Sequence, residues 1–191
     1  YYLNLPKDIK EASMKDIYNN DSNRYEAILW INTFFGNYKK GKVSKGLYLS
    51  GNFGCGKTYL ISALFNELAK EKIKSAIIFW PEFLRDLKAS FSSDFKEKYE
   101  YVKKVPLLLI DDIGAEATTE WSRDEIFCPL VQYRMEEHLP TFFTSNLDLK
   151  ALEEHFSITK DNVNHIKARR IVERVMQLTE QVTMVSKNLR G

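Results

Sequence analysis

Residues 51–58 read GNFGCGKT and fit the pattern G-x-x-x-x-G-K-[ST] at every fixed position. Glycines let a backbone fold tightly enough for several N–H groups to point at phosphate oxygens, and the helix that follows adds its positive end. Lys57 is placed to reach the β- and γ-phosphates, and the Thr58 hydroxyl is placed to bind Mg²⁺. The spacing therefore predicts that a nucleoside triphosphate binds here, on residues 51–59: Gly51, Asn52, Phe53, Gly54, Cys55, Gly56, Lys57, Thr58 and Tyr59. A glycine-rich turn without a ligand is the alternative.

Two aspartates follow an apolar run further along the chain. Residues 107–110 are Leu, Leu, Leu and Ile, and Asp111 and Asp112 come directly after them. Ligands bind at the carboxyl ends of strands in open α/β sheets, so this run would deliver both carboxylates to the phosphate. By analogy with P-loop enzymes, Asp111 supports Mg²⁺ and Asp112 orients or activates the attacking water. The alternative is a solvated pair of aspartates that ends a buried strand.

Short apolar runs alternate with amphipathic stretches along the chain. Five runs predict strands, at residues 46–50, 75–80, 105–112, 140–146 and 181–186, and most are apolar on both faces, as in covered parallel sheets. Apolar residues three or four apart predict helices across residues 25–38, 60–68 and 163–175. Pro129 interrupts another helical pattern, so we expect a break or kink near Phe127 and Cys128. The alternation predicts an α/β, doubly wound domain.

Composition limits the classes of partner. The 28 basic and 26 acidic residues leave a net charge of +2, so an anionic partner must be met by a local patch. No apolar stretch reaches the roughly 20 residues that cross a bilayer, which predicts no membrane partner. Cys55 and Cys128 form no CxxC pair, and the three histidines lack metal-ligand spacing. A reducing, cytoplasmic location is expected, and because the chain begins with Tyr1, we expect it to be a fragment.

Several segments together resemble the AAA+ ATPase domain of bacterial replicative-helicase loaders, with IstB-type transposition helpers as more distant relatives. They are the GNFGCGKT loop and LLLIDDIGAE, WSRDEIF, YRMEEHLPTFFTSN and ARRIVERV, at residues 107–116, 121–127, 133–146 and 168–175. The resemblance implies an ATP-binding P-loop NTPase with an AAA+ core: a five-stranded parallel sheet flanked by helices, with little or no C-terminal lid. It implies an N-terminal linker and first helix at residues 1–40 and the ATPase domain at 41–191. The helicase-binding domain, which precedes the ATPase domain in this family, is expected to be absent from this fragment.

The resemblance also assigns roles to single residues. Asn146, at the end of a predicted strand, matches the family's sensor 1, which helps to hold the attacking water; the alternative is a strand-ending Asn in a turn. Arg174 matches the arginine finger that reaches the nucleotide of a neighbouring subunit, with Arg170 as the substitute candidate and an ordinary basic helix face as the alternative. Asp112 departs from the family, which usually has Glu there, and hydrolysis is expected to be weak in isolation. Arg190 is a weak candidate for sensor 2.

The function that the resemblance implies is an ATP-dependent helicase loader, a primosome component that helps to load the replicative helicase during DNA replication. The implied partners are the hexameric replicative helicase, single-stranded DNA, other primosome proteins and, through Arg174, other copies of the chain. Residues 81–105 mix basic and aromatic side chains and predict either a DNA-tracking helix or an amphipathic helix with its aromatics packed inward. An IstB-like transposition helper, a nucleotide-gated binding module with little hydrolysis and a small-molecule kinase are the alternatives. The kinase is disfavoured because no arginine-bearing lid segment is found.

Overall fold

Strands and helices alternate along the chain in the computed structural model, which describes residues 6–17, 22–42, 44–90 and 92–185. The strands are β1 (Gly46–Gly51), β2 (Ser75–Phe79), β3 (Leu107–Asp111), β4 (Thr141–Ser145) and β5 (Thr179–Met184). The α-helices are α1 (Lys7–Lys10), α2 (Ser22–Lys39), α3 (Lys57–Ala69), α4 (Trp80–Ala89), α5 (Ser92–Lys104), α6 (Cys128–Glu136), α7 (Leu149–Ser157) and α8 (His165–Leu178). A 3-10 turn (Met14–Asp16) follows α1, and a π-helix (Trp121–Phe127) precedes α6.

The five strands form one sheet in the order β2-β3-β4-β1-β5, and every pairing is parallel. The predicted α/β class with a five-stranded parallel sheet is therefore confirmed. The order makes β3, β4 and β1 neighbours, so the residues that follow these three strands meet at one edge of the sheet. All three carry predicted site residues at that edge.

Each face of the sheet has its own core, because successive side chains of a strand point to opposite faces. Leu108 and Ile110 of β3 belong to one core with side chains from α4, α6, α7 and α8. Leu107 and Leu109 belong to the other core, with side chains from α2 and α3. Strands such as β3 are apolar at consecutive positions, without alternation of apolar and polar residues, because helices cover both faces of the parallel sheet.

Helix α2 falls within the segment predicted as linker and first helix. Its Ile31 and Phe34 are buried in the same core as α3, and the Phe34 ring meets Phe142 of β4 edge-on at 5.2 Å between centroids. The helix covers one face of the sheet in this way. The division of the chain at residues 40 and 41 stays a prediction.

The helical pattern around Pro129 contains a change of helix type in the structure. The π-helix ends at Phe127 and α6 begins at Cys128, whose N–H donates to the carbonyl of Arg123. Pro129 stands in the first turn of α6, where a missing N–H is tolerated. The predicted irregularity near Phe127 and Cys128 is therefore a π-to-α transition, and the helix continues through the proline.

Several predicted elements have different ends in the structure; β3, for example, spans residues 107–111 of the predicted 105–112. Strand β5 begins at Thr179, two residues before the predicted run. Helix α8 begins at His165, so Val163 of the predicted helical pattern lies before it and pairs with Ile158 in an isolated bridge. Ile166, on the first turn of α8, is 68% exposed. Ser186 of the last predicted strand, Arg190 and the segment that bears on a C-terminal lid lie outside the described residues.

Candidate functional site

The phosphate loop (residues 51–58) lies at the carboxyl end of β1, beside the ends of β3 and β4. Lys57 Nζ is 3.1 Å from Asn146 Oδ1, and Thr58 Oγ1 is 2.7 Å from Asp111 Oδ1. Hydrogen bonds thus join the phosphate loop to residues that are 53 and 89 positions away in sequence. The structure brings together these four residues as the sequence predicted.

Glycines give the phosphate loop its shape for two different reasons. Gly54 and Gly56 have left-handed φ angles of 77° and 89°, which side chains disfavour. Gly51 is required by packing, because a Cβ there would lie 1.8 Å from the Met184 carbonyl oxygen of β5. Gly56 precedes the first residue of α3, and no side chain caps that helix end. The N–H groups at the start of α3 are therefore available to an anion.

Lys57 places its ammonium group at the centre of the site. Nζ donates to the carbonyl oxygens of Gly51 and Asn52, both at 2.9 Å, and to Asn146. Burial lowers the pKa of Lys57, and the Cys55 thiol and the carboxylates of Asp112 and Asp111 act in the opposite direction. The Lys57 ammonium is largely desolvated and is surrounded by carbonyl and amide oxygens, which carry only partial charges. The full negative charges of a polyanion such as a triphosphate would stabilise it more strongly.

Asp111 accepts hydrogen bonds from two hydroxyl groups at the same oxygen. Thr58 Oγ1 donates to Asp111 Oδ1 at 2.7 Å and Thr144 Oγ1 donates to it at 2.5 Å. Sequence reasoning missed Thr144, which belongs to β4. A signal was present, because Thr144 and Asn146 are two residues apart at the end of a strand and two-residue spacing places side chains on one side.

Asp112 turns the chain out of the sheet. Its φ is 59°, in the left-handed region, and its N–H donates to Thr144 Oγ1 at 2.9 Å. Its carboxylate is close enough to Lys57 to act on the pKa of the ammonium group. Asp112 is therefore part of the same site as Lys57 and Asp111. Its role toward water stays a prediction.

The remaining residues of the predicted binding segment divide into exposed and buried ones. Asn52 and Phe53 are at the exposed tip of the phosphate loop, with Phe53 64% exposed. Cys55 is buried, with Sγ 3.6 Å from the Met184 carbonyl and 3.8 Å from Lys57 Nζ. Tyr59 accepts a long hydrogen bond from the Ser13 N–H at 3.4 Å, so it ties the N-terminal segment to α3 beside the loop.

Arg174 lies on α8, and its hydrogen-bond partners belong to α6 and α8. Its Nε donates to Gln132 of α6, and its Nη1 donates to the Arg170 carbonyl oxygen at 3.1 Å. In the described part of the chain, these partners hold the guanidinium against its own helix and α6. Neither partner belongs to the phosphate loop, and the role of Arg174 as an arginine finger stays a prediction. Arg170, the substitute candidate, is exposed.

The residues at the site fit a nucleoside triphosphate with Mg²⁺. A Mg²⁺ ion that binds together with phosphates takes only one or two oxygen ligands from the protein, and the Thr58 hydroxyl and the Asp111 carboxylate are such a pair. Over the described residues, no group of three or more His, Cys, Asp or Glu side chains is arranged to hold a metal ion.

No helix in the described ranges combines the length and the apolar character needed to span a membrane.

The sequence matches a known family over most of its length. The family described as the bacterial DnaA ATPase domain matches residues 33–171. The chain is 37% identical over 188 residues to the replicative helicase loader DnaI of Bacillus subtilis (strain 168). That alignment covers 97% of this chain and 60% of DnaI, so the chain spans well under two thirds of that relative's length.

Solved structures are similar in fold and in sequence. A crystal structure of DnaI is 45% identical, covers 96% of each chain and has a TM-score of 0.85. The structure of a candidate primosome component from Streptococcus pyogenes serotype M3 is 36% identical, with a TM-score of 0.81, and covers 98% of this chain and 93% of that one.

Proposed function

The chain belongs to the bacterial DnaA ATPase-domain family, and from this premise we propose that it is the ATP-binding and ATP-hydrolysing part of a replicative helicase loader. The observation that carries the proposal is the convergence of Lys57, Thr58, Asp111 and Asn146 within hydrogen-bonding distance at one edge of the sheet. The similarity to DnaI supports the assignment to a loader.

The residues of this chain divide the work of hydrolysis among them. The N–H groups of the phosphate loop and the Lys57 ammonium bind the triphosphate, and Thr58 and Asp111 hold Mg²⁺. When bound, Mg²⁺ neutralises charge on the β- and γ-phosphates. Asn146 hydrogen-bonds to Lys57, so it is positioned to orient a water beside the γ-phosphate. Asp112 accepts the proton of that water or orients it.

Arg174 completes the site of a second copy in this proposal. A guanidinium that stabilises the transferring phosphoryl group raises turnover roughly 10³- to 10⁵-fold. Gln132 and the Arg170 carbonyl hold Arg174 in place without connecting it to the phosphate loop of its own chain. A protomer without neighbours then hydrolyses ATP slowly, and assembly accelerates it.

The surface of α4 and α5 is the proposed contact with single-stranded DNA, although exposed acidic side chains such as Glu82 and Glu97 stand among its basic ones. Arg85, Lys88 and Lys96 are exposed, and Lys88 Nζ lies 5.4 Å from the centre of the Trp121 ring. A groove of about 270 Å³ is lined by Arg85, Lys88 and Trp121 among others. Exposed cations beside an aromatic ring suit a nucleic-acid backbone with unstacked bases.

Two aromatics of α5 are excluded from that contact. Phe95 and Tyr99 stack on each other and pack against the core, and the Tyr99 hydroxyl donates to the Ile126 carbonyl at 2.7 Å. Burial raises the pKa of this phenol. The alternative of an amphipathic helix with inward-facing aromatics therefore holds for these two side chains. Tyr101 remains exposed.

The other partners rest on similarity alone. DnaI is named as a replicative helicase loader, and we propose the hexameric replicative helicase and other primosome proteins as partners of the whole protein, in the cytoplasm. A nucleotide-gated binding module is the second candidate, because Asp112 has a left-handed backbone and a side chain shorter than the Glu that the family resemblance implies there. Such a module would bind ATP and assemble, but its hydrolysis of ATP would be too slow to drive repeated assembly and disassembly.

The test is steady-state and single-turnover ATP hydrolysis as a function of protein concentration, with and without single-stranded DNA and the cognate helicase. We expect turnover per protomer to rise with concentration and with these partners. The Lys57→Ala variant is the control and should lose ATP binding, because the variant lacks the cation that meets the β- and γ-phosphates. Wild-type turnover by Lys57→Ala would refute the site. Tight binding with no hydrolysis under any condition would favour the binding module.

A further inference from the structure

Thr144 connects the two acidic residues of the site through one hydroxyl group. The side chain is 2% exposed, and its Oγ1 lies 2.5 Å from Asp111 Oδ1 and 2.9 Å from the Asp112 nitrogen. A backbone N–H only donates, so the hydroxyl oxygen accepts from Asp112 and its proton is free to go to the Asp111 carboxylate. The direction of both hydrogen bonds is therefore fixed.

The backbone of Thr144 serves the same turn. The regular pairing of β3 with β4 includes Ile110 with Phe143, and the chain leaves the sheet after Asp111. At that point the Ile113 N–H donates to the Thr144 carbonyl at 3.0 Å, while Asp112 takes its φ of 59°. Thr144 thus accepts two hydrogen bonds from the turn: its hydroxyl accepts from the Asp112 N–H, and its carbonyl accepts from the Ile113 N–H.

We propose that Thr144 is a positioning residue for ATP hydrolysis, which sets the Asp111 carboxylate for Mg²⁺ and fixes the turn that carries Asp112. This inference rests on the proposed function and adds a residue to it. The physical reason is that a carboxylate rotates about its side-chain bonds unless its oxygens are held, and groups that hold metal ligands in place commonly contribute about 10- to 100-fold in metal affinity or activity. Thr58 bonds to Asp111 from α3, and Thr144 bonds to it from the sheet.

The test compares Thr144→Val, which keeps the shape and removes the hydroxyl, with Thr144→Ser, which keeps the hydroxyl. Thr141→Val is the matched control on the same strand, because the Thr141 hydroxyl is also buried but bonds to Arg134 and the Leu139 carbonyl. For each variant, binding of a fluorescent ATP analogue is measured in EDTA and across a Mg²⁺ titration, followed by kcat, KM and thermal unfolding.

We expect Thr144→Val to bind the analogue in EDTA as the wild type does. It should need about 10-fold more Mg²⁺ to reach half of the Mg²⁺-dependent increase in affinity, and it should lose about 10- to 100-fold in kcat. Thr144→Ser should stay within about threefold of wild type in both quantities, because it restores the same hydrogen bonds. Thr141→Val should unfold at a lower temperature with an unchanged Mg²⁺ requirement. If Thr144→Val fails to fold, Thr144→Ala takes its place with the same expectations.

The outcomes separate this inference from the proposed function. A wild type that binds the analogue and hydrolyses ATP, together with a folded Thr144→Val of unchanged Mg²⁺ requirement and kcat, overturns the inference and leaves the function standing. A loss in Thr144→Ser as large as that in Thr144→Val also overturns it, because the hydroxyl would then not be the group that matters. A wild type that binds no analogue overturns the proposed function and the inference with it.

Discussion

The ammonium group of Lys57 is subject to two opposing effects. Burial disfavours its charged form and lowers its pKa, whereas the neighbouring thiol and the carboxylates of Asp111 and Asp112 favour the charge. The carbonyl groups of Gly51 and Asn52 compensate part of the lost hydration. A triphosphate adds full negative charges to this arrangement, so the binding energy of the ligand depends on Lys57 being protonated.

Nucleotide affinity should therefore fall as pH rises toward the ordinary Lys pKa of 10.5. Folded Lys57 loses its proton below 10.5, whereas the unfolded chain keeps it up to about that value. In that window the unfolded state binds more protons, so the contribution of Lys57 to folding stability increases with pH while affinity decreases. Calorimetric titration of ATP from pH 7.5 to 10.5 should show an affinity that falls as pH rises, most steeply above the lowered pKa. Lys57→Arg, which stays charged, should show a flat profile. A flat profile for the wild type would contradict the assignment.

Asp112 combines a chemical requirement with a backbone requirement. Asp and Asn tolerate the left-handed region better than most side chains, and the φ of Asp112 is 59°. Asp112→Asn should keep the turn and unfold within about 2 °C of the wild type, while single-turnover hydrolysis falls by about 10²- to 10⁴-fold. Asp112→Glu should extend the reach of the carboxylate at a cost of about 1–2 kcal/mol in unfolding free energy. Hydrolysis by Asp112→Asn at the wild-type rate would remove Asp112 from the mechanism.

At the scale of the elements, the sequence predicts what depends on local patterns. The five apolar runs identify the strands, and the GNFGCGKT spacing identifies the phosphate loop together with the helix that follows it. The beginning of β5 and the inward side of α5 were not predictable to the residue, because they depend on which neighbours cover each position. The same limit applies to Thr144, whose role is defined by residues about 30 positions away in sequence.

Arg134 is the clearest case of a residue whose role only the packing reveals. It is fully buried, and its guanidinium donates to Thr141 Oγ1 and to carbonyl oxygens at the end of α5 and before β3 and β4. Burial lowers the pKa of Arg134 to about 9, so it remains protonated at neutral pH. One cation thus joins α5, α6 and the beginnings of two strands.

Replacing Arg134 should destabilise the fold without changing the chemistry of the site. Arg134→Met leaves several buried carbonyl groups without a donor, and we expect a loss of about 3–5 kcal/mol in unfolding free energy. For a chain of this length that corresponds to a fall of about 6–20 °C in the melting temperature, measured by circular dichroism. Arg85→Met, at an exposed position on α4, is the control and should change stability by less than about 0.5 kcal/mol. A melting temperature of Arg134→Met equal to that of the control would show that the buried cation is not needed.

At the scale of the whole molecule, the two halves of the proposed catalytic machinery lie in different places. The phosphate loop, Asp111, Asp112 and Asn146 meet at the carboxyl edge of the sheet, while Arg174 is held on α8 by Gln132. In the proposed mechanism, a single copy would offer one incomplete site and one guanidinium for another copy. Head-to-tail contact between identical copies would complete every shared site, and such contacts generate rings or filaments.

Mixing two inactive variants tests this sharing directly. The Arg174→Ala protein still has Asp111 and Asp112, and the Asp112→Asn protein still has Arg174. A site that combines the acidic residues of the first protein with the arginine of the second is therefore complete. In random assembly at equal amounts, half of the sites belong to Arg174→Ala, and half of those meet an intact Arg174, so about a quarter of wild-type turnover should return. The control is a mixture of Arg174→Ala with the double variant Asp112→Asn/Arg174→Ala, which cannot form a complete site and should stay inactive. Activity of the mixture that is only the sum of the activities of the separate variants would refute a shared site. If Arg174→Ala stays active, and Arg170→Ala is inactive alone but rescued by Asp112→Asn, the finger is Arg170.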